Sequence, residues 1–211
     1  MTTETSASRE AGGTRLRMLD VAETHFARKG YEGAHLESIA TEVGVRKTAL
    51  YYYFDSKAAL YTAVLDRISV EVDRVIGDAL RRTDLDYVPR FELILDAFNG
   101  LLASNLNYAQ ILQRIFVDRI PISDASVITP ALESALGSLM ELYQQGKEAG
   151  VFRKLSARQV VIHIVGMSTF FYAGRESSAQ VLGVEDVAAP GVVKWQAQSM
   201  RDLVMRGVIE R

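Results

Sequence analysis

Residues 46–57 carry the side chains with the clearest chemistry in this sequence: two adjacent cations, a hydroxyl, three consecutive phenols and a further cation. They are Arg46, Lys47, Thr48, Tyr51, Tyr52, Tyr53 and Lys57. Lysine and arginine neutralise phosphates, threonine and tyrosine hydroxyls bond phosphate oxygens or base edges, and ring or methyl edges contact the thymine methyl group. The set therefore predicts a surface that binds double-stranded DNA.

Two short helices are expected to hold these side chains in place. Apolar residues at helical spacing predict one helix over 36–43 and a second over 46–53. The junction Val43-Gly44-Val45 fits a helix-turn-helix, because glycine takes the tight turn and the valines hold the helices together. We predict this motif over 36–54, with Lys57 in the first turn of the next helix, where a helix N-terminus also attracts phosphate.

Apolar residues recur at helical spacing along the rest of the chain, which predicts an all-α protein. A first helix is expected over 14–29, with Thr14 as N-cap and Gly30 as its stop, and a long one over 56–81 that begins at Ser56. The stripe of the first helix is Leu16, Leu19, Ala22 and Phe26. Further helices are expected over 88–105, 108–118, 126–149, 157–172 and 192–206, with a short one near 179–182.

Composition excludes several classes of protein. The 211 residues are 48% hydrophobic, enough for a sizeable core, and contain no cysteine, so disulfides and thiolate metal sites are ruled out. The three histidines lack metal-binding spacing, and we expect no metal or cofactor. Because neither a signal peptide nor a membrane-spanning run is visible, a cytoplasmic protein without a membrane partner is expected.

Charge by itself says little about nucleic acid. The formal net charge is −2, and residues 9–60 hold eight Lys/Arg against seven Asp/Glu, so the local arrangement has to carry the DNA hypothesis. A helical enzyme is the main alternative from another class, but the chain has no Gly-rich phosphate loop, no G-x-S-x-G and no metal-binding His pair. We therefore predict that it is not an enzyme.

The N-terminal third of the chain resembles the TetR/AcrR family of regulators over residues 14–62. The order and spacing of several short segments carry the resemblance. These are Phe26-Ala27-Arg28-Lys29-Gly30-Tyr31, Ile39-Ala40, Val43-Gly44-Val45, Leu50-Tyr51-Tyr52-Tyr53-Phe54, Ser56-Lys57 and Leu60. By position, Lys47 matches the family's lysine at the start of the recognition helix, Tyr51 and Tyr52 its DNA-contacting aromatic pair, and Lys57 its phosphate-facing lysine.

Three positions depart from the family's pattern. Ala34-His35 stands where Thr-Ser or Thr-Thr often opens the second helix, so a hydroxyl cap and phosphate contact are missing, and His35 is expected as a weak substitute. Thr48 replaces a frequent glycine and Tyr53 a frequent histidine. These last two changes are expected to alter operator preference.

The resemblance also implies a domain plan and a mode of action. A flexible arm at 1–13 would precede a three-helix DNA-binding domain at 14–68, and 69–211 would form a helical ligand-binding and dimerisation domain. Such regulators usually bind palindromic operators as homodimers, and mostly repress until a small molecule binds. The fourth helix would then transmit the change to the DNA-binding unit.

A ligand pocket is expected among the central helices of the second domain. Its candidate lining residues are Phe98, Leu102, Phe116, Tyr143, His163, Met167, Phe170 and Phe171. A plain apolar core is the alternative for each of them, since most buried aromatic residues only pack. His163 attracts attention because an imidazole inside an apolar helix needs a partner, which a ligand or a backbone carbonyl would supply.

The helices at 157–172 and 192–206 are apolar on more than one face, which indicates full burial or contact with a partner. In the family, two such helices from each subunit form a four-helix dimer interface. Dimerisation would place two recognition helices about 34–36 Å apart, one turn of DNA. A DNA-binding module without a small-molecule ligand stays open as an alternative.

Overall fold

The computed structural model describes residues 3–118 and 129–210, with side chains from Gly12 onwards. These residues form ten α-helices and confirm the predicted all-α class. In chain order they are α1 (Thr3–Gly33), α2 (Leu36–Val43), α3 (Lys47–Tyr53), α4 (Lys57–Leu80), α5 (Tyr87–Ser104), α6 (Leu106–Val117), α7 (Pro130–Glu148), α8 (Ala157–Ala173), α9 (Arg175–Leu182) and α10 (Pro190–Val208).

The first helix differs from the prediction at both ends. It begins at Thr3, so Thr14 lies inside the helix and is not its N-cap. At the other end Gly30 breaks the helix with φ 70° and ψ 179°, and one more turn follows to Gly33. Leu16 is exposed instead of buried, and Met18 takes its place in the core. The flexibility that we predicted for residues 1–13 stays a prediction.

Later helices follow the sequence more closely. The side chain of Thr129 accepts a hydrogen bond from the Leu132 amide and caps α7, with Pro130 in the first turn. The predicted start of this helix at 126–128 lies outside the described residues. The short helix expected at 179–182 is longer, since α9 begins at Arg175, and Gly183 closes it in the left-handed conformation.

The described residues fall into two compact units. The first takes the chain up to Arg67 and the described residues from Arg114, and the second takes Ile68–Gln113 and the described residues after Ile128. In the first unit the ring of Tyr61 meets those of Phe26 and Tyr31 edge to face, at 4.9 and 5.2 Å between centroids. Aromatic packing therefore joins α4 to the end of α1.

The second unit is built around α5, which packs against α7, α8 and α10. Its aromatic cluster places the Phe152 ring parallel to that of Tyr143 at 5.2 Å and 5.3 Å from that of Phe91. The Tyr143 hydroxyl donates to the Arg153 carbonyl at 2.9 Å. Because burying a polar group costs free energy unless it is bonded, this hydrogen bond lets Tyr143 stand in the core.

Gly146 of α7 provides a test of this cluster. A Cβ atom added at Gly146 would lie 2.5 Å from Cε2 of the buried Phe152, whereas one added at Gly137 of the same helix meets nothing within 4 Å. We expect Gly146→Ala to lower the free energy of unfolding by about 1–2 kcal/mol, since overpacking outweighs the gain in helix propensity. Gly137→Ala should raise it by up to about 1 kcal/mol. Denaturant melts of both variants would measure this, and a stabilised Gly146→Ala would contradict the packing.

Two further properties concern only the residues that the structure describes. No helix within 3–118 or 129–210 has the length and apolar character needed to cross a membrane. No group of three His, Asp or Glu side chains in these ranges could hold a metal ion.

Candidate nucleic-acid interface

The turn between α2 and α3 is set by Gly44. Its φ of 82° and ψ of 29° lie in the left-handed region, which glycine adopts without steric cost. The Gly44 amide donates to the Thr41 carbonyl at 3.1 Å, and the Val45 amide donates to the Ala40 carbonyl at 2.9 Å. These bonds close α2 and turn the chain into α3, as the predicted helix-turn-helix requires.

The helix α3 presents a polar face and buries its other side. Lys47, Thr48, Tyr51 and Tyr52 follow a helical spacing that places them on one face, and all four are exposed. Tyr52 is 84% exposed and Tyr51 46% exposed, whereas Leu50 is buried. A phenol that is exposed to this degree contributes little to the fold, so the two tyrosines are available to a groove of DNA.

Two neighbouring groups border this face. The ring of Tyr53, which is half-buried, stands edge to face with the ring of Tyr52 at 5.2 Å. The guanidinium of Arg15 lies 5.1 Å from the centroid of the Phe54 ring, which brings a cation from α1 to the end of α3. Sequence reasoning missed Arg15, because its partner is far away in the chain and no local spacing connects the two.

The cations at the start of α3 have different surroundings. Arg46 is the N-cap residue of α3, is exposed and makes no side-chain cap hydrogen bond. Lys47 Nζ lies 3.7 Å from the Glu37 carboxylate of α2, and both side chains are largely exposed. Exposed ion pairs contribute little to stability, so the Lys47 ammonium is free to exchange this partner for a phosphate.

Lys57 is more engaged than the sequence suggests. Its ammonium donates to the Glu32 carbonyl at 3.1 Å and lies 4.8 Å from the centroid of the Tyr31 ring. Burial lowers the pKa of Lys57, while the nearby Glu32 carboxylate opposes this shift. The side chain therefore ties the start of α4 to the end of α1, and its phosphate contact stays a prediction.

The two histidines of this unit have different roles. His35 is the N-cap residue of α2 but makes no side-chain cap hydrogen bond, so it does not replace the missing hydroxyl cap. Its contact with phosphate stays a prediction. His25, which we did not single out, lies buried in α1 with Nε2 2.8 Å from the Glu42 carboxylate of α2. This pair braces the helix-turn-helix against α1.

The residues predicted to line a ligand pocket lie in several places. Phe98, Leu102 and Tyr143 are buried in the second unit. Phe116 is exposed in the first unit. His163 is exposed on α8, so its imidazole needs no buried partner. Met167, Phe170 and Phe171 line one groove between α8, α9 and α10, of about 580 Å³.

Lys47 carries a prediction for the salt dependence of binding. A lysine that neutralises one phosphate releases counterions, so removing it lowers the salt slope of the binding constant by about one per contact. We expect Lys47→Ala to weaken DNA binding alike on all sequences and to lower the slope by about two for a dimer. Titrations at several salt concentrations would show this, with Lys154→Ala as a control on the second unit. An unchanged slope would remove Lys47 from the interface.

The fold and this surface together define a helix-turn-helix DNA-binding regulator. Comparison of the sequence with known protein families supports the same class of protein. Residues 18–64 match the profile of bacterial regulatory proteins of the tetR family. Residues 119–204 match that of the Tetracyclin repressor-like C-terminal domain. The chain therefore belongs to the TetR family of transcriptional regulators, which are DNA-binding proteins and not enzymes.

Individual relatives support this assignment. The biofilm operon regulator IcaR of Staphylococcus aureus is 47% identical over 45 residues, which span 21% of this chain and 24% of IcaR. The transcriptional activator FasR of Mycolicibacterium smegmatis is 27% identical over 155 residues, or 72% of this chain and 67% of FasR. A tetR-family structure from Rhodococcus RHA1 has a TM-score of 0.76 at 19% identity, over 94% of this chain and 98% of that one, and shows the shared fold.

Proposed function

We propose that this protein is a homodimeric repressor that binds a palindromic DNA operator and is released when a small molecule binds the C-terminal domain. The exposed face of α3 is the observation that carries the DNA part of this proposal. A short helix that presents Lys47, Thr48, Tyr51 and Tyr52 while burying Leu50 suits entry into the major groove. A regulator of this kind works where the chromosome is, so the proposal includes the cytoplasm.

An apolar groove on the second unit supports dimerisation. It is lined by side chains from α8, α9 and α10, including Phe170, which is 68% exposed, and Leu203, which is 66% exposed. Large exposed apolar patches mark interaction sites, because leaving them in water is costly. We assign a second copy of this chain to the groove, since two self-complementary patches form a closed twofold dimer.

A twofold dimer dictates the form of the operator. Each subunit offers one α3, and a twofold axis relates the two helices, so the two half-sites must be inverted repeats. Their centres must lie about one helical turn apart, or a multiple of it, for both helices to reach the same side of the duplex. A twofold dimer therefore fixes the symmetry of the operator.

The effector part of the proposal is supported by the similarity of residues 119–204 to the Tetracyclin repressor-like C-terminal domain. A ligand that prefers a dimer with wrongly spaced recognition helices lowers operator affinity by shifting the population toward that form. The α4 helix continues from the first unit into the second, which makes it a natural element for transmitting such a change.

Transcriptional activation is a second candidate function. FasR, whose match spans most of this chain, is named an activator, whereas IcaR is named a negative regulator. Both modes use the same operator-binding dimer and differ in where the operator lies relative to the promoter. A reporter gene behind the selected operator, with and without this protein, separates repression from activation.

Selection from random duplex DNA tests the proposal. The purified protein is incubated with the pool, bound duplexes are recovered by gel shift, and the enriched sequences are read over several rounds. We expect inverted repeats with half-sites about one helical turn apart. The recovered operator then serves to screen small molecules for release. A pool that stays random after selection would contradict the proposed operator binding.

A further inference from the structure

The last turn of α6 carries an arginine that reaches the end of α1. Arg114 Nε donates to the Ala27 carbonyl at 3.0 Å, and its Nη2 donates to the Arg28 carbonyl at 3.1 Å. Carbonyls that precede a helix break lack some intrahelical partners and carry partial negative charge. A planar guanidinium suits two successive carbonyls of this kind, because its donors form a rigid fork.

A carboxylate one helical turn further on holds the third nitrogen of this guanidinium. Arg114 Nη1 lies 3.3 Å from Asp118 Oδ1, and both side chains are partly buried. The ion pair orients the fork toward α1, and with it all three guanidinium nitrogens are bonded. We call Arg114 and Asp118 the α6 clamp.

The α6 clamp closes over the break in α1. A Cβ atom added at Gly30 would lie 2.6 Å from Asp118 Oδ2 and 2.9 Å from Arg114 Nη1. The φ of 70° and ψ of 179° at Gly30 also fall in a region that is essentially restricted to glycine. The backbone therefore requires glycine at this position, and the clamp side chains approach it closely.

The C-terminal part of α1 is held to the neighbouring helices α2 and α4 by side-chain contacts. Lys57 of α4 holds the Glu32 carbonyl just beyond the break, and His25 of α1 holds Glu42 of α2 at 2.8 Å. Hydrogen bonds weaken steeply with distance and angle, so a small shift of α6 is enough to release the clamp. Arg114 and Asp118 belong to the first unit, together with the DNA-binding helices α1 to α3.

We propose that Arg114 is a positioning residue for operator binding: with Asp118 it fixes the end of α1 and thereby the orientation of α3. The inference rests on the operator binding proposed above. It makes the clamp the point at which a change in α6 alters the fit of the recognition helix to DNA. The contact acts through main-chain carbonyls, so it does not depend on the side chains of Ala27 and Arg28.

Four variants of the full chain test this role. Arg114→Ala removes the guanidinium. Arg114→Lys keeps the positive charge but has one nitrogen in place of the three of the planar guanidinium. Asp118→Asn keeps the shape of the side chain without its charge. Arg74→Ala is the matched control, because Arg74 is an exposed arginine whose ion pairs, among the residues that the structure describes, are with Glu71 and Asp78 of its own helix. Affinity is measured for the selected operator and for a scrambled duplex of equal length at the same salt.

We expect Arg114→Ala to bind the operator about tenfold more weakly while its affinity for the scrambled duplex stays within about twofold. Arg114→Lys should recover part of the loss, Asp118→Asn should show a smaller loss, and Arg74→Ala should bind like the wild type. Unchanged operator affinity in a folded Arg114→Ala dimer would overturn the proposal. An equal loss on both duplexes would overturn it as well, since it would indicate only unfolding or lost charge.

Hydrogen–deuterium exchange tests the effect of the α6 clamp on the end of α1 and on the helix-turn-helix in the absence of DNA. In Arg114→Ala we expect amides at residues 31–45 to exchange about tenfold faster, with α7 and α8 unchanged. Unaltered exchange at 31–45 would overturn the positioning role even if no operator had been found. If the proposed function is wrong, neither the wild type nor the Arg74→Ala control will enrich any sequence in the selection from random duplex DNA.

Discussion

Replacing Tyr52 by alanine is expected to weaken operator binding about tenfold or more without changing the melting temperature. The side chain is 84% exposed, so its loss removes little from the core. A side chain that contacts a base edge contributes about 1–3 kcal/mol of discrimination, and a dimer loses the contact twice. Gel-shift titration of the selected operator measures the loss, and thermal unfolding confirms that the fold is intact.

Two comparison variants make this experiment specific. Tyr52→Phe keeps the ring and removes the hydroxyl, so it separates a hydrogen bond from an apolar contact with a thymine methyl. Val70→Ala truncates an exposed side chain on α4, outside the recognition helix, and should bind the operator like the wild type. If Tyr52→Ala bound as tightly as Val70→Ala, Tyr52 would lie outside the interface.

Replacing Leu203 by glutamate is expected to convert the dimer into a monomer and to lower operator affinity about a hundredfold. Leu203 is exposed in the apolar groove, and a carboxylate buried there in the dimer would lack a partner. Specific binding exceeds non-specific binding by roughly 4–10 kcal/mol, and a monomer keeps the contacts of only one half-site. Sedimentation velocity and gel shift together measure both effects.

Gln198→Glu is the matched control for this variant. Gln198 lies on the same helix, α10, is exposed and does not line the groove, so the same new charge should leave the dimer intact. A Leu203→Glu protein that sediments as a dimer would show that the second copy binds elsewhere. Loss of the dimer in both variants would indicate a general effect of negative charge.

The helix-turn-helix could be predicted because its signals are local. Gly44 needs a left-handed conformation, and the apolar residues around it follow the helical period within a few turns. The same holds for Ser56, whose side chain accepts from the Ala59 amide at 3.0 Å and caps α4 as expected. Features of this kind depend on neighbours in the chain, which the sequence displays directly.

Contacts between distant residues could not be predicted in this way. Arg114 meets carbonyls in α1 that lie far away in the chain, and Lys57 meets Glu32. Periodicity also failed where both faces of a helix carry apolar residues. His163 of α8 was expected inside the fold but is exposed, because Val160 and Ile164 already fill the buried face. Such choices depend on the tertiary packing of other helices.

The spacing of the two half-sites tests the central claim most directly, namely that a rigid dimer places two copies of α3 in neighbouring major grooves. The measurement is the affinity for the selected operator before and after insertion of about 5 base pairs, half a helical turn, between its half-sites. We predict a loss of about a hundredfold, since the second α3 would face the wrong side of the duplex. Equal affinity for the two duplexes would contradict the claim.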